Sequence, residues 1–322
     1  MRNRSFISNF RWLRSGLLLS VLAVLAIEWQ LGRTLPGHYF RHEVDDLLYS
    51  LDHRSYDARV LSLGNSVGRQ LDQGIHRLDR GFLRPMSSNA ALEMTGQYFL
   101  LCRYLARNPA PESLILWVDN PFYGDLRSVY TENYIQRCFL RWREIGLLAW
   151  WRGSPTFTAS MISYRLLPSF RYRVDIQKDI PILGVREVNL APQVAFGGRP
   201  QSARKQNALA RWWQRWVHGG QSISTTAFER LLALCEERGI RIYLIPAPIS
   251  SRVALDRGPQ QGRAEINERL AELQKKFDVL HYETESRVYP DNEFVDGTHF
   301  VEGVVLARAA EYRDLLQERM KP

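Results

Sequence analysis

The stretch "DARVLSLGNS", Asp57 to Ser66, passes from charged residues into an apolar run and then into Gly64, Asn65 and Ser66. A short apolar run closed by turn-forming residues reads as a buried strand with a loop at its carboxyl end. The pattern recurs. "ESLILWVDNPF" (Glu112 to Phe122) ends in Asp119, Asn120 and Pro121, "IRIYLIPAP" (Ile240 to Pro248) ends in prolines, and "DVLHY" (Asp278 to Tyr282) is a shorter fourth run. Segments with helical spacing of apolar residues lie between and after them: Leu92 to Asn108, Thr225 to Gly239, Gly262 to Phe277 and Phe300 to Met320. Strands that are apolar along their whole length, alternating with helices, predict an α/β fold: three layers, α/β/α, around a mostly parallel sheet buried on both faces.

In such a sheet the functional residues gather in loops at the carboxyl ends of the strands. That rule selects Gly64-Asn65-Ser66, Asp119-Asn120 and the tract from Asp291 to His299. The last holds "FVDGTHFVEG" (Phe294 to Gly303), an aspartate and a histidine three residues apart at the start of a helical segment. Read locally, Asp296 is either a helix cap or the partner of His299. A serine hydroxyl needs a base to take its proton, and an imidazole base needs a carboxylate to fix its tautomer. Ser66, His299 and Asp296 supply those three groups if the fold brings them together. An oxyanion would then need preorganised donors. The side chain of Asn120 and a backbone N–H from the loop after the second strand are the candidates.

The chain of 322 residues is long enough for one sizeable core with an insertion. Its three cysteines, Cys102, Cys138 and Cys235, are widely spaced, which excludes a disulfide scaffold and a structural zinc site. No metal-ligand motif and no cofactor motif occurs.

The N-terminus has its own character. "MRNRSFISNFRWLR" carries four arginines and no acid, and 13 uncharged residues, "SGLLLSVLAVLAI", follow. A basic start before an apolar run is a membrane-targeting signal with the arginines on the cytoplasmic side. Trp12 to Leu31 is long enough to span if Arg14 and Glu28 reach the two interfaces. Val24-Leu25-Ala26 also fits a cleavable signal peptide. Both readings place the chain from about residue 34 onward across the membrane, in a periplasmic or other extracytoplasmic space. That location argues against a nucleic-acid partner despite the net charge of +9.

The surplus charge lies in one segment. From Asp125 to Gly220 there are fifteen Lys and Arg against six Asp and Glu, and six of the nine tryptophans. The chain therefore divides into a basic tip with an anchor (1–33), a first part of the α/β domain (34–124), a basic aromatic insertion (125–220) and a second part (221–322). Within the insertion, "ARKQNALARWWQRWVHGG" (Ala203 to Gly220) places Trp212, Trp213 and Trp216 on one helical side, with Arg211 and Arg215 beside them. Such a helix suits an anionic membrane surface, a lid whose tryptophans stack on sugar rings, or simple packing against the core.

Taken together, "LSLGNS", "LILWVDNPF" and "DGTHFVEGVVLAR" resemble the SGNH/GDSL hydrolase superfamily. The resemblance covers roughly residues 57–122 and 225–318 and implies a flavodoxin-like α/β/α fold. It implies Ser66 as nucleophile, Asp296 and His299 as acid and base, and Asn120 as an oxyanion donor. "SSNAALEMTGQYFLLCRYLARNP" resembles the second block of membrane-anchored members, with Asn89 in place of a glycine whose N–H joins that of Ser66 at the oxyanion. Asn65 stands where the family usually has aspartate. The anchored layout resembles SGNH-like proteins that acylate cell-surface polymers, which implies an esterase or O-acyltransferase, O-acetyl transfer included. Its partners would be an envelope polysaccharide, an acyl donor and a multi-pass membrane acyltransferase. A catalytically silent module that binds or scaffolds polysaccharide synthesis, or a membrane-surface binding protein led by the tryptophan-rich helix, are the competing expectations.

Overall fold

The computed structural model describes residues 5–38, 43–88, 92–122, 135, 137–153, 155–172, 223–256 and 261–321. The long apolar helix α1 (Ser5–His38) is followed by α2 (Glu43–His53). Next come β1 (Val60–Gly64), α3 (Ser66–Leu78), β2 (Arg84–Pro85), α4 (Glu93–Leu105) and β3 (Ser113–Trp117). Three helices occupy the middle of the chain: α5 (Trp142–Arg152), α6 (Pro155–Leu166) and the single turn α7 (Pro168–Arg171). The C-terminal part runs α8 (Ile223–Glu237), β4 (Arg241–Ile245), β5 (Ile249–Ser250), α9 (Ser251–Asp256) and α10 (Gln261–Lys276). It closes with β6 (Leu280–Tyr282), β7 (Val288–Tyr289) and α11 (Glu302–Arg319).

Five strands form one sheet in the order β2-β1-β3-β4-β6, with every neighbouring pair parallel. The parallel sheet expected from the apolar runs is therefore present. One pairing, β3 with β4, joins β1 and β3, from the first part of the chain, to β4 and β6, from the second. Alternation along the strands explains why both faces are dry. Leu61, Leu63, Leu114, Leu116, Ile242 and Leu244 enter one core, while Val60, Ile115, Trp117 and Ile245 enter the other. On the first face α4 packs with α8; on the second α3 packs with α11. The chain leaves β1 toward β2 on one side and returns to β3 on the other, so the carboxyl end of β1 is a topological switch point. Ser66 stands there.

Trp117 fixes how α3 sits on the sheet. Register pairs it with Gly64, and a Cβ on Gly64 would lie 2.6 Å from the Cβ of Trp117. On Gly68 it would lie 2.5 Å from the same atom. Only glycines at both places let the first turn of α3 rest on the indole. The far side of the ring meets Tyr312 of α11 edge-on, with centroids 5.3 Å apart. A similar approach brings α3 against α11, where a Cβ on Gly74 would sit 2.5 Å from that of Ala309.

The indole N–H needs an acceptor once it is buried. It donates to Asp72 Oδ1 at 2.8 Å and to Ser62 Oγ at 2.9 Å, and the Ser62 hydroxyl donates to the same Asp72 oxygen at 2.7 Å. Asp72 is fully buried. Burial pushes its carboxyl up to about 6, although the bonds from Ser62 and Trp117 and the nearness of Ser87 pull the other way. Ser87 lies close enough to be felt by the acid, yet neither its hydroxyl nor Asp72 Oδ2 finds a well-aligned partner among the described residues.

The sequence reading missed several elements. Strands β2, β5 and β7 have two residues each, too few for any period to show. Helices α5 and α6 carry aromatic and apolar residues around most of their circumference, so no clean stripe marks them. The tryptophan-rich stretch Ala203 to Gly220 lies outside the described residues.

The acid at the base of the sheet generates a test. An acid with a raised folded pKa favours folding while protonated, so Asp72 stabilises below the ordinary 3.8 and loses that contribution as pH rises through about 6. Asp72→Asn keeps the acceptor and removes the charge. Relative to it, the native chain is expected to lose up to about 3 kcal/mol in urea unfolding between acidic and neutral pH. A stability difference that stays flat with pH would contradict this account.

Candidate functional site

The structure brings Ser66, His299 and Asp296 into one hydrogen-bonded line. Ser66 Oγ lies 2.7 Å from His299 Nε2, across 233 positions of sequence. His299 Nδ1 lies 2.7 Å from Asp296 Oδ2. The imidazole is about 15% exposed and the carboxylate about 11%, so the pair is shielded while the serine side stays reachable.

Each member is held by its own element. Ser66 is the first residue of α3, and Asn65 caps that helix by accepting the N–H groups of Val67 and Gly68 at 3.1 and 3.3 Å. The cap spares the N–H of Ser66. It also shows why asparagine serves at position 65, since an amide oxygen caps as well as a carboxylate does.

His299 and Asp296 belong to a tight loop between a 3₁₀ turn (Asp291–Glu293) and α11. Phe294 and Phe300 close it as an antiparallel bridge, with their rings stacked 4.7 Å apart. The N–H of Val295 donates to the carbonyl of His299 at 2.8 Å. Asp296 divides its oxygens between two tasks. Oδ1 accepts from the N–H groups of Thr298 and His299 and from the Thr298 hydroxyl, which shapes the loop. Oδ2 is left to face the ring. The alternative reading of Asp296 as a helix cap is set aside by the geometry: α11 starts at Glu302 after an N-cap Val301 that has no side-chain cap.

Gly297 completes the turn with φ +93°, a conformation that disfavours residues with a Cβ. A side chain there would also press to 2.6 Å from Val253 of α9. Burial alone would raise the Asp296 carboxyl. The hydrogen bond from the His299 ring, the charge on that ring and the two backbone N–H bonds win and hold it down to about 2.

A residue that sequence reasoning passed over fastens this loop to α3, the helix that carries Ser66. Gln70, on α3 and buried, donates through Nε2 to the carbonyl of Phe300 and accepts its N–H at Oε1, both at 3.1 Å. One amide side chain thus replaces a missing strand partner. On the other side, Gln97 of α4 donates to the carbonyl of Gly64 at 3.1 Å. No local pattern marks either glutamine, because each bond joins distant segments.

Asn120 is buried at the end of β3, with its Oδ1 accepting the N–H of Phe122 at 2.9 Å. That bond fixes the amide and leaves its NH2 as the end able to donate. Neighbouring Asp119 is structural, accepting the N–H of Ala247 at 2.9 Å. Arg263 of α10 draws the loops after β3 and β6 together by donating to the carbonyls of Asp119, Glu283 and Thr284. Asn89, Trp212, Trp213, Trp216, Arg211 and Arg215 lie outside the described residues.

No family model matches the sequence, and no curated protein matches it. Among solved structures, one described as a candidate platelet activating factor from Streptococcus pneumonia is 10% identical, with a TM-score of 0.38. The likeness covers 90% of this chain and 99% of that one. At that distance it carries no inference about chemistry, so the site is read from its own geometry.

Two outcomes follow from the loop. An acid whose pKa is depressed contributes stability that is present above the ordinary 3.8 and is lost as pH falls through about 2. Asp296→Asn is therefore expected to flatten the acid limb of the unfolding curve over that interval, as followed by circular dichroism. Gln70→Leu leaves the buried N–H and carbonyl of Phe300 unpaired, and is expected to cost about 2 kcal/mol of stability. Unchanged unfolding in both variants would mean that neither contact holds the loop.

Proposed function

We propose that the chain is a serine-dependent ester hydrolase or O-acyltransferase of the SGNH type. The observation that carries this reading is the continuous line from Ser66 Oγ through the imidazole of His299 to Asp296, with both links at 2.7 Å. The sequence blocks around Ser66, Asn120 and His299 support the SGNH assignment, as does a parallel sheet with the serine at its switch point.

In this reading each group has a task. His299 Nε2 accepts the Ser66 proton as Oγ attacks an acyl carbonyl, and the imidazolium that forms is stabilised by Asp296. Charge then develops on the carbonyl oxygen. The N–H of Ser66, at the positive end of α3, meets it, with the Asn120 amide and the Asn89 N–H as further donors. His299 returns its proton to the departing alkoxide, leaving an acyl-serine. Water or a sugar hydroxyl, deprotonated by the same imidazole, takes the acyl group in the second half.

The setting is proposed from the N-terminus. Helix α1 contains one described segment, Leu17–Thr34, long and apolar enough to cross a membrane, and most of its surface is exposed. An anchor there places the α/β domain on the extracytoplasmic side of a cytoplasmic membrane. An envelope polysaccharide is then the acceptor or ester substrate, and a multi-pass membrane acyltransferase a fitting source of acyl groups. The anchor (1–33), the two halves of the domain (34–124 and 221–322) and the insertion (125–220) are the corresponding functional units.

A fluorophosphonate probe tests the chemistry without knowledge of the natural substrate. The native chain is expected to label at Ser66, found by peptide mass, and to hydrolyse a simple aryl acetate. Ser66→Ala should abolish both. Asp296→Asn should slow them by at least about 10²-fold, the usual scale of a lost acid–base contribution. A native chain inert to the probe would point instead to a silent, polysaccharide-binding module.

A further inference from the structure

The middle helices show a surface that the relay does not use. α1 does not stand apart from the folded domain: Glu28 accepts both the N–H and the hydroxyl of Ser169, at the start of α7. One turn further on, a Cβ at Gly32 would lie 3.1 Å from Cγ of Pro168, so the proline ring packs close to the α1 backbone there. Glu28, expected to reach an interface, thus finds a specific hydrogen-bond partner. The apolar segment of α1 ends at Thr34, six residues beyond Glu28, or roughly 9 Å by the rise of an α-helix. The corner between α6 and α7 is therefore level with the last turns of the segment.

What faces outward at that level is apolar, aromatic and basic. Leu166, at the corner itself, is 58% exposed; on α5, Trp142 and Trp150 are 55% and 81% exposed. Gly146 continues the same side of α5 and has open space where a Cβ would be. Arg165 stacks on the Trp142 ring at 4.6 Å. The neighbouring Trp151 turns inward onto Tyr98 and Phe99, so the exposure of Trp150 is not a general property of this helix.

From Arg141 to Arg171 five arginines stand against one acid, Glu144. That acid is buried and held by Arg103. Arg141 and Arg171 pair with Asp52 and Asp45. Arg143, Arg152 and Arg165 have no carboxylate partner among the described residues.

We infer that the α5–α7 face lies on the anionic headgroup layer of the bilayer that α1 crosses, with Trp142, Trp150 and Leu166 entering it. Interfacial tryptophans backed by arginines, on a face that continues a membrane helix, match anionic phospholipid in both polarity and charge. The face rests on the proposal that α1 is a membrane anchor, and it holds the domain against the membrane instead of on a free tether.

Site-directed spin labels on the full chain in nanodiscs of mixed phosphatidylcholine and phosphatidylglycerol test this. Labels go singly at Trp150→Cys and Leu166→Cys, at Leu22→Cys within α1, and at Glu318→Cys, an exposed position on α11. Cys138 and Cys235 are buried, with thiols pushed well up by burial, and unsubstituted chain gives the background. Labels at 22, 150 and 166 are expected to collide with oxygen several-fold more than with a nickel chelate, and the label at 318 the reverse. A shielded label at 22 with water-exposed labels at both 150 and 166 overturns the docked face and leaves the anchor standing. A water-exposed label at 22 overturns both. Brominated lipid provides a second readout without cysteine substitution. It should quench the tryptophan fluorescence of the native chain clearly more than that of Trp142→Phe/Trp150→Phe, and equal quenching counts against the inference.

Discussion

The packing of Trp117 beneath the first turn of α3 is the constraint on which the site depends. A large indole between a strand and a helix normally forces them apart. Here Gly64 and Gly68 remove the two side chains that would collide with it, and the helix descends until its backbone rests on the ring. The buried N–H fixes the rotation of the indole through Asp72 and Ser62. Height and rotation together determine where Ser66 Oγ points. The arrangement keeps a buried acid with a raised pKa at the centre of the fold, a strain accepted for a definite orientation.

The second half of the site is built on a different principle. His299 is not placed by a regular element. Its loop is held from within by Asp296 Oδ1 and from outside by Gln70, with Gly297 taking a backbone conformation that a side chain would resist. The carboxylate that steers the imidazole is thus also the staple of its own loop. A rigid loop costs chain entropy once, on folding, and spares the reaction that cost later.

How much of this could be read in the sequence depends on the range of each interaction. The apolar strands announced the parallel sheet, because burial on both faces leaves a continuous Val/Leu/Ile run. Ser66, Asp296 and His299 stood out because strand-end turns and a three-residue Asp–His spacing are local signals, and the structure brings the three together. Gln70, Gln97 and the Ser62–Asp72–Trp117 cluster did not, since their partners lie on other elements, 10 to 230 residues away. A polar Ser62 inside an apolar strand was the one available clue to that cluster. The docking of α1 through Glu28 was equally hidden, because a glutamate near the end of an apolar run looks the same whether it meets water or Ser169.

The separation of the two halves along the chain also sets the order of events during synthesis. Ser66 emerges early and is seated on β1, whereas the imidazole arrives only with the last elements before the C-terminus, after β4 and β6 have joined the sheet. Until then its hydroxyl has no imidazole beside it. A polypeptide that stopped short of residue 299 would hold Ser66 without its imidazole partner, and the hydrogen-bonded line would form only once the loop from Asp296 to His299 had joined the fold.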